Sequence, residues 1–82
     1  MILVDIYIPS LGETYDFRLD ETAKVMSIVR EVSEMLCIKN KSVLNKSADE
    51  LMLCSMDSGQ ILGGETTLWE NNIINGSKLL MV

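Results

Sequence analysis

The chain has 82 residues, 48% of them apolar, a net charge of −5 and no histidine. That length supports one domain, 1–82, around a single small core, and the acidic balance argues against a general nucleic-acid binder, which needs a basic face to displace counterions. No apolar run approaches the ~18–20 residues of a membrane span, and Met1 opens into a strand-like run without a basic leader region, so a soluble, cytoplasmic protein with no direct membrane insertion is expected.

Residues Ile2 to Ile8 alternate in polarity. Asp5 must face water and takes Leu3 and Tyr7 with it, which leaves Ile2, Val4, Ile6 and Ile8 for the core. Pro9-Ser10-Leu11-Gly12 supplies turn chemistry, because proline stops a ladder and glycine accepts positive φ. Thr14 to Leu19 alternate again, with Tyr15, Phe17 and Leu19 inward, so the first two strands form an antiparallel hairpin.

Thr22 to Leu36 changes period. Val25, Ile28, Val29, Val32, Met35 and Leu36 recur at three- and four-residue spacing, which places them on one side of a helix opposite Lys24, Ser27, Arg30, Glu31 and Glu34. Asp20 or Thr22 is the expected N-cap, with Glu21 near the positive end of the dipole. No other segment carries this period, so a sheet must cover this one helix. Val25, Val29 and Val32 are expected to be its most buried positions, facing Ile6, Phe17, Leu53, Leu79 and Ile73.

From Cys37 to Asp49 the pattern dissolves into a polar loop containing Lys39, Lys41 and Lys46, a cluster whose simplest reading is a solvated loop. Ile38, Val43 or Leu44 is expected to tuck under the helix end, and Ser47 to Glu50 has capping-box spacing for a single turn. Leu51 to Met56 reads as a strand, Asp57-Ser58-Gly59 as a tight turn, and Gln60 to Leu62 as a short return strand. Leu68 and Ile73 anchor the loop that follows Gly63-Gly64. Asn75-Gly76 is a turn, and Lys78 to Val82 is the last strand. Following a helix, that strand enters the sheet most economically beside the first. The expected class is α+β, a mixed four- to five-stranded sheet wrapped on one α-helix.

This order of elements resembles the ubiquitin-like β-grasp fold over essentially the whole chain. The most specific part of the likeness is Thr67-Leu68, four residues, Ile73, then Asn75-Gly76-Ser77-Lys78-Leu79, which is similar to the closing segment of ubiquitin-like domains. Within that superfamily, Asp5-Ile6-Tyr7-Ile8, Asp16-Phe17-Arg18-Leu19 and Lys24-Val25 resemble the YukD/EsaB group. That resemblance implies a cytosolic accessory component of a bacterial type VII (WXG100/ESX) secretion system, with a protein partner in the membrane secretion complex. Two other readings stand beside it: a modifier or sulfur carrier whose Gly-Gly tail is absent here, and a free-standing regulatory ubiquitin-like adaptor.

Little in the chain points to chemistry. A conjugating protein needs a flexible tail ending in glycines, and this sequence stops at Val82. Cutting at Gly63-Gly64, the only diglycine, would remove a core strand. Without histidine, a cysteine or serine nucleophile lacks its usual base. Cys37 and Cys54 are too few and too far apart for a zinc site, and Asp20-Glu21-Thr22 would repel a phosphate. No catalytic residue, metal or cofactor is expected.

What remains is surface. With Leu79 and Met81 inward, Leu80 and Val82 face out, and with Leu51 and Leu53 inward, Met52 and Cys54 do the same. In ubiquitin-like domains this outer face, with a leucine in the first hairpin turn, is the usual partner-binding patch. Leu11 occupies that turn, and Leu3 adds to the face. The expected protein-binding set is therefore Leu11, Met52, Cys54, Leu80 and Val82, open either to a partner or to self-association through the sheet.

Overall fold

A computed structural model describes residues 1–40 and 50–82. It contains β1 (Ile2–Ile8), β2 (Glu13–Leu19), α1 (Val25–Asn40), β3 (Leu53–Ser55), β4 (Ile61–Leu62) and β5 (Lys78–Met81). The expectations for Lys39, Lys41 and Lys46, for Cys37, for Ile38, Val43 and Leu44, and for a turn over Ser47 to Glu50 fall on residues or side chains outside that description.

The hairpin forms where the alternation places it. Gly12, at φ 65°, closes the turn with its N–H on the Ile8 carbonyl at 2.9 Å, and the register runs from Ile2 opposite Leu19 to Ile8 opposite Glu13. The five strands lie in the order β2-β1-β5-β3-β4. β5 runs parallel to β1, with Ile6 opposite Leu79, and antiparallel to β3, with Leu53 opposite Met81. The last strand is thus the central one, as its apolar sequence requires. β3 is shorter than the expected Leu51–Met56, but backbone bonds from Met52 to Val82 and from Met56 to Lys78 continue its ladder at both ends.

The helix lays Val25, Ile28, Val29, Val32 and Leu36 onto the sheet, where they meet Val4, Ile6, Ile8, Leu19, Leu53, Leu62, Leu79 and Met81. Burying such side chains stabilises the fold by roughly 1.5–3 kcal/mol each. Leu68 and Ile73 complete this core from the loop between β4 and β5. Phe17 and Tyr15 point inward but are only half-buried, because β2 is an edge strand. Met35, expected on the apolar face, is 38% exposed.

The start of the helix differs from the expected Thr22. Asp20 Oδ1 accepts from the Thr22 N–H and hydroxyl at 2.9 and 2.7 Å, which closes a turn before the helix rather than capping it. These bonds, the hydroxyl's first, hold the Asp20 carboxyl below its ordinary value of 3.8. The first helical N–H groups, of Val25 and Met26, instead reach the carbonyls of Thr66 and Gly64 at 2.8 and 3.0 Å. A tertiary contact has taken over the work of a side-chain cap. The opposite end also departs from expectation, since the helix continues through Cys37 to Asn40.

Gly63-Gly64 is part of this arrangement. Neither glycine has positive φ, so the loop does not use them for that freedom. Gly64 joins the loop to the helix through its carbonyl, which accepts from the Met26 N–H at 3.0 Å, and a Cβ added to it would make an ordinary contact, 3.4 Å from Met26 Cβ. The segment is fastened further by Lys24 and Glu65, 3.0 Å apart, and by a reciprocal capping box in which Thr67 and Glu70 exchange side-chain-to-backbone bonds at 3.0 and 3.1 Å.

Candidate protein-binding face

The pleat divides β5 and β3 cleanly. Leu79, Met81, Leu53 and Ser55 are buried, whereas Leu80, Val82, Met52, Cys54 and Met56 stand on the side away from the helix. Register then assembles a surface from four strands. Leu80 lies opposite Tyr7 on β1 and opposite Cys54 on β3, and Cys54 lies opposite Ile61 on β4. The outcome is a row, Ile61–Cys54–Leu80–Tyr7, that crosses the sheet at right angles to its strands. Ile61 is 62% exposed at one end of it.

Met52 and Val82 form the next rank, held together by backbone bonds of 2.6 and 2.9 Å. On the other side of the row, Lys78 lies opposite Asp5, and Asp5 opposite Asp16. A shallow depression of about 380 Å³ opens between the two ranks, lined by Asp5, Tyr7, Thr14, Met56 and Lys78. A shared hydrogen bond with Asp5, which requires a proton, and then the charge of Asp5 hold the Asp16 carboxyl above its ordinary value of 3.8.

Of the five residues singled out from sequence, Met52, Cys54, Leu80 and Val82 therefore come together on one face, Met52 exposed and the other three half-buried. Leu11 does not stand free: it sits in the first turn as expected, but half-buried and packed against the core. Leu3 is exposed toward the far end of the same face, opposite Arg18. Sequence reasoning did not include Ile61 or Tyr7. Tyr7 was accessible to it, since it stands two residues from the outward Asp5. Ile61 was not, because a two-residue strand has no alternation from which to read a face.

Among the described residues no three His, Cys, Asp or Glu side chains converge as metal ligands, and no helix there is long and apolar enough to cross a membrane. The face offers adaptable apolar contact (methionine, leucine, isoleucine) with a polar border, which is suited to docking.

Comparison with solved structures fixes the class. The N-terminal ubiquitin-like domain in the 4931431F19Rik protein matches with a TM-score of 0.77 and 26% identity, over 99% of this chain and 72% of that one. The ubiquitin-like domain of Arabidopsis thaliana protein At2g32350 matches with a TM-score of 0.74 and 21% identity, over 99% of this chain and 74% of that one. No family model matches, nor does any curated protein sequence. The chain has the ubiquitin-like β-grasp fold and is a ubiquitin-like module. Since 404 solved chains match it, the fold by itself selects no function.

Proposed function

We propose that this protein is a non-conjugating, non-enzymatic interaction module that docks on a larger protein through the outer face of its sheet, with Leu80 at the centre. The observation that carries this reading is the register itself. Tyr7, Leu80, Cys54 and Ile61 come from four strands and meet in one row that no element among the described residues covers. Single exposed apolar residues are ordinary on protein surfaces, but a contiguous apolar rank, here with Ile61 and Tyr7 exposed and Cys54 and Leu80 half-buried between them, usually marks an interaction site. Docking is favoured over conjugation through the internal diglycine: Gly63-Gly64 is built against the helix, and cleavage there would remove the central strand β5.

The resemblance of Asp5–Ile8, Asp16–Leu19 and Lys24-Val25 to the YukD/EsaB group supports a more specific role. In that role the module is a cytosolic accessory of a type VII secretion apparatus, and its partner is a cytoplasmic portion of the membrane complex.

The test replaces the gene in a type VII-secreting host with a Leu80→Glu, Val82→Glu version. Both side chains lie on the outer face, so the variant should accumulate as folded protein, lose its partner in pull-down, and fail to support export of WXG100 substrates. Normal pull-down and export would remove the outer face as the docking surface. Unimpaired export after complete deletion of the gene would remove the secretion role and leave the free-standing adaptor or a modifier whose Gly-Gly tail is absent here.

A further inference from the structure

The charged residues of the outer face are ordered as well as the apolar ones. β1 and β5 are adjacent and parallel, and two of their pairs stand on that face: Asp5 opposite Lys78 and, one level along the strands, Tyr7 opposite Leu80. Each level therefore joins unlike members, an acid beside a base and a phenol beside a leucine. No element among the described residues lies over either level.

This order makes the face complementary to itself. Consider two copies laid face to face about a twofold axis parallel to the strands and midway between β1 and β5. The rotation keeps each residue at its level but exchanges the two strands, so β1 of one copy lies over β5 of the other. Asp5 then faces Lys78 of the second copy and Tyr7 faces its Leu80, and each contact occurs twice. An axis along β5 would instead set Lys78 on Lys78, and one along β1 would set Asp5 on Asp5. Charge selects the axis between them. Sheets stacked face to face lie about 10 Å apart with their strands roughly aligned, an arrangement that this axis delivers.

Asp16 strengthens the case. It stands opposite Asp5 on the side away from Lys78, and the hydrogen bond to Asp5, followed by that neighbour's charge, holds its carboxyl above the ordinary value. Lys78 of the second copy, seated over Asp5, brings an ammonium beside both carboxylates and eases their repulsion. The net charge of −5 on each copy opposes pairing only at long range, where salt screens it beyond about 8–10 Å.

We propose that the outer face pairs with a second copy of this chain about a twofold axis between β1 and β5, through reciprocal Asp5–Lys78 and Tyr7–Leu80 contacts. The proposal rests on the docking reading only in taking the outer face as a contact surface. It makes the second copy a competitor of the larger partner, because only the unpaired chain presents Leu80.

The experiment measures the mass of the purified full chain by sedimentation equilibrium from micromolar to millimolar concentration. The parent should pass from monomer to dimer. Asp5→Lys and Lys78→Asp each turn both reciprocal charge contacts from attraction to repulsion, and each should weaken the dimer roughly tenfold or more. Mixed together, these two variants should form a heterodimer. The doubly exchanged chain, Asp5→Lys with Lys78→Asp, keeps the parent's net charge and should regain the dimer. Leu80→Glu should remain monomeric, and circular dichroism melts establish that each variant is folded. Three results would overturn the proposal: a parent that is monomeric at millimolar concentration, single charge variants that dimerise like the parent, or a folded double exchange that stays monomeric. Pull-down separates this proposal from the docking reading. A monomeric parent whose larger partner is still lost on Leu80→Glu, Val82→Glu would sink the self-pairing and leave docking in place. A parent dimer that Leu80→Glu breaks, with pull-down unchanged, would do the reverse.

Discussion

Leu79 and Leu80 are neighbours of identical chemistry on the same central strand, yet the fold uses them for opposite ends. Leu79 is fully buried between β1 and β3 and faces α1, while Leu80 stands on the other side in line with Tyr7, Cys54 and Ile61. The two faces of the sheet differ in composition, since Asp5, Asp16 and Lys78 stand on the outer one, and in what covers them. The helix and the Leu68–Ile73 loop close the inner face, and no element among the described residues closes the outer one. The one helix among the described residues lies on the inner side, so those residues pack the sheet on that side alone. Under the docking proposal, the apolar residues of the other side serve association rather than stability.

The largest effect that sharpens this contrast is on the inner face. Val29 is 3% exposed, and Val29→Asp would place an unpaired carboxylate among aliphatic side chains. Because a domain of this size has a margin of only ~5 kcal/mol, that change should abolish folding. A cooperative thermal melt by circular dichroism, at a temperature near that of the parent, would mean the helix does not close the core.

A smaller effect separates two neighbours in the loop. Leu68 is wholly buried, whereas Trp69 beside it is 73% exposed. Leu68→Ala should cost about 2–5 kcal/mol through the lost burial and the cavity left behind, and Trp69→Ala no more than about 0.5 kcal/mol. Urea denaturation of the two variants checks this, and comparable midpoints would contradict the anchoring role of Leu68.

The smallest effect lies on the outer face and depends on pH. Asp16 is raised above 3.8 in the folded chain, so folding favours its protonated form. Its stabilising contribution is present in acid and is lost as pH rises through the folded value. Asp16→Asn should therefore increase stability at neutral pH, and the gain should disappear in acid. Asp20 runs the other way: its value is lowered, so its contribution is present above 3.8 and fades as pH falls. Urea midpoints for Asp16→Asn and the parent, taken across the acid range, read this difference. A gain independent of pH would show that the two carboxylates do not interact.

These contrasts also explain what the sequence made legible. Period-two alternation located β1 and the inner and outer sides of β5 because one charged or apolar residue settles a whole strand once its neighbours alternate. Three- and four-residue spacing located the buried stripe of the helix for the same reason. The true start of the helix was hidden, because Val25 and Met26 are capped by the carbonyls of Thr66 and Gly64, some forty positions away in the chain. Leu11 looked like an exposed turn residue because nothing local shows that the hairpin folds it back onto the core. Ile61 acquired its place in the Leu80 row only through register with Cys54, which is a property of pairing and not of a two-residue segment.

The central claim is that β5 separates stability from association, and the most direct measurement compares Leu79→Glu with Leu80→Glu. Each is melted by circular dichroism and then offered, at equal concentration, to the partner captured by the parent chain. The account predicts that Leu79→Glu has no cooperative transition, and that Leu80→Glu melts within a few degrees of the parent yet retains no partner. A Leu80→Glu variant that melts like the parent and still holds the partner would contradict it.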